Sequence, residues 1–393
     1  MSLLAFICLY IISVYSNEES MQAKCHMTPA YPPPNDRLIG SYVINLDDNA
    51  SQRWVKPTND FKDDIANVVD LTMGAWFMTP FRARIDSIGV DNLLKRLPYD
   101  WGNEIISIAN IINRSRTDVY LYNLAYSLMG FCTSIVAQDN DGNIFHGRNL
   151  DFGLWPAVNW TDWQWDLTTD LKKILFEANF TKNGQVLYRT ITYGGFIGVH
   201  TGVKPNGFSL SVDTRFDNNF DRYLEKYWTD PNDNNQLLVM ATRYMFENYN
   251  HYDDAIGYIS QLPMVCPAYV IMGGINNGEG VVMTYGPNMT LFDKWEIKNA
   301  LPNMTNINNF YVLETNYDHW DEPPIYDDRR YPAEECMDEI GQKGVGFYSL
   351  YNVLNGLPNR NRLTTFTSLM SAKQDGYIQA WKQYCDVPEC SPW

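Results

Sequence analysis

Between residues 60 and 131 the apolar positions repeat at helical spacing. Ile105, Ile108, Ala109 and Ile112 fall on one face, as do Leu121, Leu124, Ala125 and Leu128. At Cys132 the period changes. "CTSIVAQD" is β-rich, "NDGN" carries a hairpin-turn signal, and "IFHGRN" returns as the second arm. From there to about residue 320 strands dominate: "VLYRTITYGGFIGVHTG", "FSLSVDTRF", "PAYVIMGG", "GVVMTYG" and "FYVLETNYD" are separated by Gly, Asn or Pro. One helical stretch, Leu237 to Ile259, interrupts them. Helices followed by many antiparallel-type strands predict an α+β architecture of layered sheets covered by helices. The glycines of "GGINNGEG", residues 273–280, lack a Walker lysine and read as a turn between two strands. Residues 17–35 are polar and end in "YPPPND", a proline-rich entry.

At 393 residues the chain can build one large core or two domains. Its 45% apolar and 14% aromatic content is that of a packed globular protein. Acidic residues outnumber basic ones, 46 against 30, for a formal charge of −16. That balance argues against a polyanionic partner such as nucleic acid, which selects basic faces. It suits an acidic compartment, where carboxylates with reference pKa values near ~4 are partly protonated.

The apolar run Leu3 to Val14 is shorter than the ~20 residues a membrane-spanning helix needs. With Val14-Tyr15-Ser16 as a cleavage site, residues 1–16 read as a secretory signal peptide. Asn49, Asn113, Asn159, Asn179, Asn288 and Asn303 each open an N-x-S/T glycosylation sequon, which supports secretion. Removing Cys8 with the leader leaves Cys25, Cys132, Cys266, Cys336, Cys385 and Cys390. That even number permits disulfides, and Cys385 and Cys390 are close enough to close a small loop. No CxxC…CxxC spacing suggests a zinc site.

The histidines His26, His146, His200, His251 and His319 form no H-E-x-x-H or i,i+4 pair, which disfavours metallohydrolase chemistry. "GFCTSIV" is not the local motif of a papain-like protease. What stands out is Cys132 at a helix-to-strand boundary, preceded by apolar Phe131. A lone cysteine there is most simply an inert buried hydrophobe. If the Phe131–Cys132 bond is cut, however, the thiol gains its own α-amine as base, and no histidine is required.

"CTSIVAQDNDGNIFHGRNLDFG", "YGGFIGVHTGVKPNGFSLSVDTRF", "PAYVIMGG…GEGVVMT" and "VLETNYDHW…DDRRYPA" resemble the self-cleaving N-terminal-nucleophile amidases that include acid ceramidase and N-acylethanolamine acid amidase. The resemblance runs from about Cys25 to the end. It implies a four-layer αββα core, a mostly helical α-chain over 17–131 and a catalytic β-chain over 132–393, joined as an α/β heterodimer cut from one precursor. It implies that Cys132 is the nucleophile both for autocleavage after Phe131 and for amide hydrolysis. Asp151 would hold the new α-amine, Arg148 would steer the thiol or the substrate carbonyl, Asn316 would supply an oxyanion donor, and Arg329 would support them. By themselves Arg148 and Asp151 could equally be a surface ion pair, and "DDRR" and Asn316 ordinary turn chemistry. Relatives carry an acidic residue where this chain has Thr214, so no catalytic role is carried over there.

The resemblance further implies a Cys25–Cys336 bridge between the two chains and a Cys385–Cys390 bridge, with Cys266 unpaired. These cysteines belong to the ceramidase branch and point to ceramide as substrate, with an N-acylethanolamine or a catalytically dead lipid-binding glycoprotein as alternatives. No cofactor or metal is implied. A lysosomal or secreted location, a saposin-type activator and a membrane surface fit the same picture. Trp155, Trp160, Trp163 and Trp165 suit the mouth of a lipid-handling site.

Overall fold

The computed structural model describes residues 24–27, 29–153, 158–159, 164–216, 221–297, 310–385 and 390. The expected leader, Trp155, Trp160, Trp163 and Asn303 lie outside the described residues. In chain order the strands are β1 (Ser41–Asn45), β2 (Gly130–Gln138), β3 (Ile144–Phe152), β4 (Val158–Asn159), β5 (Gln164–Trp165), β6 (Leu175–Lys182), β7 (Gln185–Tyr193) and β8 (Thr201–Val203). They continue with β9 (Ser209–Thr214), β10 (Ala268–Gly273), β11 (Gly280–Tyr285), β12 (Phe292–Glu296), β13 (Tyr311–Glu314), β14 (Thr364–Ser371) and β15 (Tyr377–Lys382).

An eight-stranded sheet, β1-β6-β7-β8-β9-β10-β11-β12, faces a five-stranded one, β13-β2-β3-β14-β15. Val136 and Ile144 of the smaller sheet meet Tyr269, Ile271 and Val282 of the larger one in a shared core. Helices Arg330–Ile340 and Phe347–Asn355 cover the outside of the smaller sheet, where Leu350, Val353 and Leu354 bury against Ile135 and Leu369. Helices from the first 131 residues and Leu238–Asn248 cover the larger sheet through a single apolar cluster. Helix, sheet, sheet, helix is the αββα order that the resemblance implied.

Trp101–Ile112 buries the expected face: Ile105, Ile108, Ala109 and Ile112. It stops at Asn113, whose φ of 54° is a left-handed position that Asn tolerates. Ser115 then caps the next helix, Arg116–Met129, by accepting a 3.0 Å hydrogen bond from the Asp118 N–H. That helix passes straight into β2 at Gly130 without a loop. The β2–β3 hairpin closes where Asp139 Oδ1 accepts from the N–H groups of Asp141 and Asn143.

The helix expected over 237–259 is two helices, Leu238–Asn248 and Tyr252–Ile259. Lys204 Nζ takes up the Phe246 carbonyl at the end of the first (2.7 Å), and Asp253 and Asp254 favour the N-terminus of the second. Strands β14 and β15 and the two helices before them lie beyond the stretch where strands were expected to dominate.

The segment before Cys132 is tied to the rest in several ways. β1 runs parallel to β6. Buried Glu104 accepts from Arg243 and Trp54. Cys25 is bridged to Cys336, Cys385 is bridged to Cys390, and Cys132 and Cys266 stand outside any disulfide. Asn49, Asn113 and Asn288 are exposed and Asn179 is half-buried, while the Asn159 side chain is outside the described residues. Among the described residues no helix is long and apolar enough to cross a membrane.

Candidate active site

Across β2 and β3, Phe131 pairs with Asp151, Cys132 with Leu150 and Ser134 with Arg148. Side chains alternate along a strand, so Cys132, Ser134 and Arg148 look toward the second sheet. Phe131, Thr133 and Asp151 look outward. Arg148 and Asp151 are both fully buried, on opposite faces, and are not a surface ion pair.

On the inner face, Arg148 Nη2 donates to Cys132 Sγ at 2.7 Å and to the Val212 carbonyl at 2.9 Å. Its Nη1 donates to the His200 carbonyl at 2.7 Å and to Thr201 Oγ1. Carbonyls that only accept thus hold a cation against the sulfur, the environment that favours a thiolate. Asp213, projecting from β9, brings Oδ1 to 3.5 Å from the same guanidinium nitrogen and accepts from Ser134 Oγ at 2.9 Å. Burial pushes the Asp213 carboxyl up to about 7, against the opposing pull of Arg148. Burial and Arg148 push His146 down to about 3, and His200 also lies well below its usual value. The His146 ring bonds to Ser209 and Ser211, and that of His200 to Thr201.

On the outer face, Arg329 Nη1 donates to the Cys132 carbonyl and, at 3.4 Å, to Asp151 Oδ2. Asp327 fixes that guanidinium from the other side through Nε at 2.8 Å and Nη2 at 3.0 Å. Asp151 also accepts from Asn361 at 3.1 Å, and burial raises it to about 6. Its Oδ1 is buried and has no hydrogen-bond partner among the described residues. Asn316 joins the two faces. Its Oδ1 accepts from the Cys132 N–H at 2.9 Å and from Arg329 Nη2 at 2.7 Å, while Nδ2 donates to the Thr214 carbonyl at 2.7 Å and reaches the Gly130 carbonyl at 3.4 Å.

The five residues singled out from the sequence therefore meet around one peptide bond. Asp213, Ser134, Asp327 and Asn361 complete the cluster. Ser134 was findable as the next inward position after Cys132; Asn361 carries no local signal. Thr214 contributes its carbonyl, and Arg215 is engaged by Asp318 through two 2.7 Å bonds. Trp165 is buried with Leu363 beside Phe131 and so belongs to the core rather than to a mouth. A cavity of about 450 Å³ bordered by Arg215, Phe216, Tyr269, Asn316 and Tyr317 reaches the cluster from outside.

A family model described as linear amide C–N hydrolases, choloylglycine hydrolase family, matches residues 132–386. Human acid ceramidase is 30% identical over 369 residues, covering 92% of this chain and 91% of that protein. Mouse acid ceramidase is 32% identical over the same shares. Among solved structures, a Caenorhabditis elegans N-acylethanolamine-hydrolyzing acid amidase ortholog matches with a TM-score of 0.53 and 29% identity, covering 64% of this chain and all of that one.

Proposed function

The chain belongs to the linear amide C–N hydrolases of the choloylglycine hydrolase family, and we propose that the amide it hydrolyses is that of ceramide, releasing sphingosine and a free fatty acid. The observation that carries the cysteine-nucleophile chemistry is the 2.7 Å approach of Arg148 to the Cys132 sulfur, on a residue whose N–H is held by Asn316. Maturation begins with attack of that sulfur on the Phe131 carbonyl. Hydrolysis of the resulting thioester leaves an α-chain over 17–131 and a β-chain that starts at Cys132.

In turnover the thiolate, paired with Arg148, attacks the lipid amide. The freed α-amine takes the thiol proton and passes it to the departing nitrogen. Arg329 and Arg148 are like charges that lower the amine's proton affinity, while Asp151 Oδ1 offers it an acceptor. Asn316 Nδ2 is the proposed oxyanion donor, a contribution of ~3 kcal/mol in comparable sites. Water then releases the fatty acid from the acyl-thioester.

The bridges Cys25–Cys336 and Cys385–Cys390 and the ceramidase relatives favour ceramide. The structural match to an N-acylethanolamine-hydrolyzing amidase supports an ethanolamide as the second reading. The sequons, the expected leader and the acidic charge support a lysosomal or secreted glycoprotein, and a saposin-type activator and a membrane surface are proposed as partners on the resemblance alone. A catalytically dead lipid-binding glycoprotein is disfavoured by the assembled site. Fatty-acid release from ceramide and from an N-acylethanolamine, assayed side by side on purified protein, tests the choice. Faster release from ceramide is expected; equal or faster release from the ethanolamide overturns it. The cut is tested on a reducing gel: wild type resolves into two chains and Cys132→Ala remains one.

A further inference from the structure

We propose that Arg330 is a positioning residue for the hydrolysis: it holds the turn after β13 so that Asn316 presents its side-chain amide to the oxyanion. The proposal rests on the oxyanion role given to Asn316 above and adds what keeps that amide in place. Arg329 and Arg330 are consecutive, at the start of the helix Arg330–Ile340, and both are buried. They grip different parts of one segment. Arg329 reaches the Asn316 side chain, its Nη2 donating to Oδ1 at 2.7 Å. Arg330 takes the backbone that follows. Its Nη1 donates to the Asp321 carbonyl at 2.7 Å, and its Nη2 to the Asp318 carbonyl at 3.0 Å and to that of Tyr317.

The need for such a grip follows from where the ladder stops. β13 ends at Glu314, paired with Ser134 of β2, so Asn316 lies beyond its last pair. The turn that follows closes on itself through the Asp321 N–H, which donates to the Asp318 carbonyl at 2.8 Å. All three bonds of Arg330 among the described residues go to main-chain carbonyls of this turn. A guanidinium suits that task, because it only donates and its planar fork serves several carbonyls at once. The backbone of Asn316 is therefore held by β13 on one side and by Arg330 on the other. Its side chain can then keep Oδ1 on the Cys132 N–H at 2.9 Å and Nδ2 on the Thr214 carbonyl at 2.7 Å.

Arg330 is not among the residues that border the 450 Å³ cavity, so it acts through the turn rather than on the substrate. The cavity wall has a second support. Asp318 takes Arg215 through two 2.7 Å bonds and the Tyr269 hydroxyl at 2.7 Å, and these remain when Arg330 is replaced. The Tyr317 carbonyl, next to Asn316, loses the guanidinium that holds it. Losing Arg330 should therefore spare the binding of the amide and disturb the donor that meets its developing charge. An interaction made only in the transition state shows in kcat and not in KM.

The test is a double-mutant cycle on turnover, read as fatty-acid release from whichever of ceramide and an N-acylethanolamine the wild type hydrolyses faster. Rates are referred to the amount of cut chain on a reducing gel. Arg330→Gln is expected to lower kcat by ~10- to 100-fold, the scale of a small misplacement, with KM within about threefold of wild type. Asn316→Ala should lower kcat by ~100-fold or more. Adding Arg330→Gln to it should cost no more than about twofold further, because residues that act as a unit are not additive. A merely structural arginine would instead multiply the two losses. Arg330→Lys keeps the charge without the fork and should fall between wild type and Arg330→Gln. It takes the place of Arg330→Gln in the cycle if that variant does not fold or is not cut. Where Asn316→Ala remains uncut, the kcat-against-KM split decides alone. Wild-type kcat in Arg330→Gln, a loss confined to KM, or a fully multiplied loss in the double variant each overturns the proposal. Wild-type kcat in Asn316→Ala removes the oxyanion role itself, and the proposal with it.

Discussion

Glu104 offers the most direct check on how the segment before Cys132 is held to the rest. It is fully buried and its two oxygens accept four hydrogen bonds: from Arg243 Nη1 (2.6 Å) and Nη2 (2.8 Å), Arg53 Nη1 (2.9 Å) and Trp54 Nε1 (2.7 Å). Arg243 is equally buried and lies 4.4 Å over the Trp101 ring. Glu104→Gln keeps the volume, so no cavity opens. It removes the charge and turns an NH₂ group toward N–H donors. Removing one partner of a buried ion pair costs about 3–5 kcal/mol. Arg243 keeps Glu247 at 2.9 Å and the Ile197 carbonyl at 3.0 Å, so the lower end applies, about 3 kcal/mol. That is a large share of the ~5–15 kcal/mol that holds a folded protein together. Urea unfolding followed by tryptophan fluorescence, on variant and wild type in the same buffer, measures it. A loss below about 1 kcal/mol, the range of an exposed pair, would refute the reasoning.

Arg148→Gln should retain the fold yet lower turnover by ~100-fold or more, as loss of a preorganised charge does, measured as fatty-acid release per folded chain. Cys266→Ser should leave activity unchanged, because burial pushes that thiol up to about 12 and it is not part of the cluster; a large loss of turnover would contradict this. Asp151, Asp213 and Glu334 are raised to about 6, 7 and 7, and Glu314 to about 8. Each binds its proton more tightly folded than unfolded, so stability from these groups falls as pH rises from ~4 toward ~8. The melting temperature should therefore be higher at pH 5 than at pH 8, and the opposite order would show that these carboxyls do not govern stability.

What the sequence disclosed depended on whether a residue acts through local pattern or through distant contacts. Ile105 to Ile112 and the turn after β2 obey short-range rules, and both are where the pattern placed them. β14 was invisible because all of its Thr364–Ser371 residues are buried, so no alternation marks it. Several of its hydroxyls find partners nearby, as when Thr365 donates to the Leu150 carbonyl at 2.8 Å and Thr367 to Asn149 Oδ1 at 2.6 Å, while Ser368 Oγ is buried without one among the described residues. The break after Asn248 was equally hidden, since Lys204, which takes up the end of that helix, comes from another part of the chain. In the site, Cys132, Arg148 and Asp151 sit on one hairpin and could be grouped from sequence. Asn316, Arg329 and Asn361 arrive from far along the chain, and only the fold, or likeness to a family, could bring them there.

A reactive residue inside a strand is held rigidly both before and after the proposed cut. β2 pairs with β3 along its whole length and with β13 only from Ser134 onward, while Asn316 Oδ1 takes the Cys132 N–H on the other side, so the backbone around Phe131 and Cys132 is held in place. Such fixation lowers a barrier by removing the need to find a reactive geometry. The same rigidity retains the product. Gly130 and Phe131 remain paired with Phe152 and Asp151, and the Phe131 ring rests 5.1 Å from that of Phe216. Cutting the bond by itself removes none of these contacts. The apolar space lined by Tyr122, Phe152, Tyr193, Phe196 and His200 measures about 20 Å³ in the uncut chain, room for about one water and none for an acyl chain.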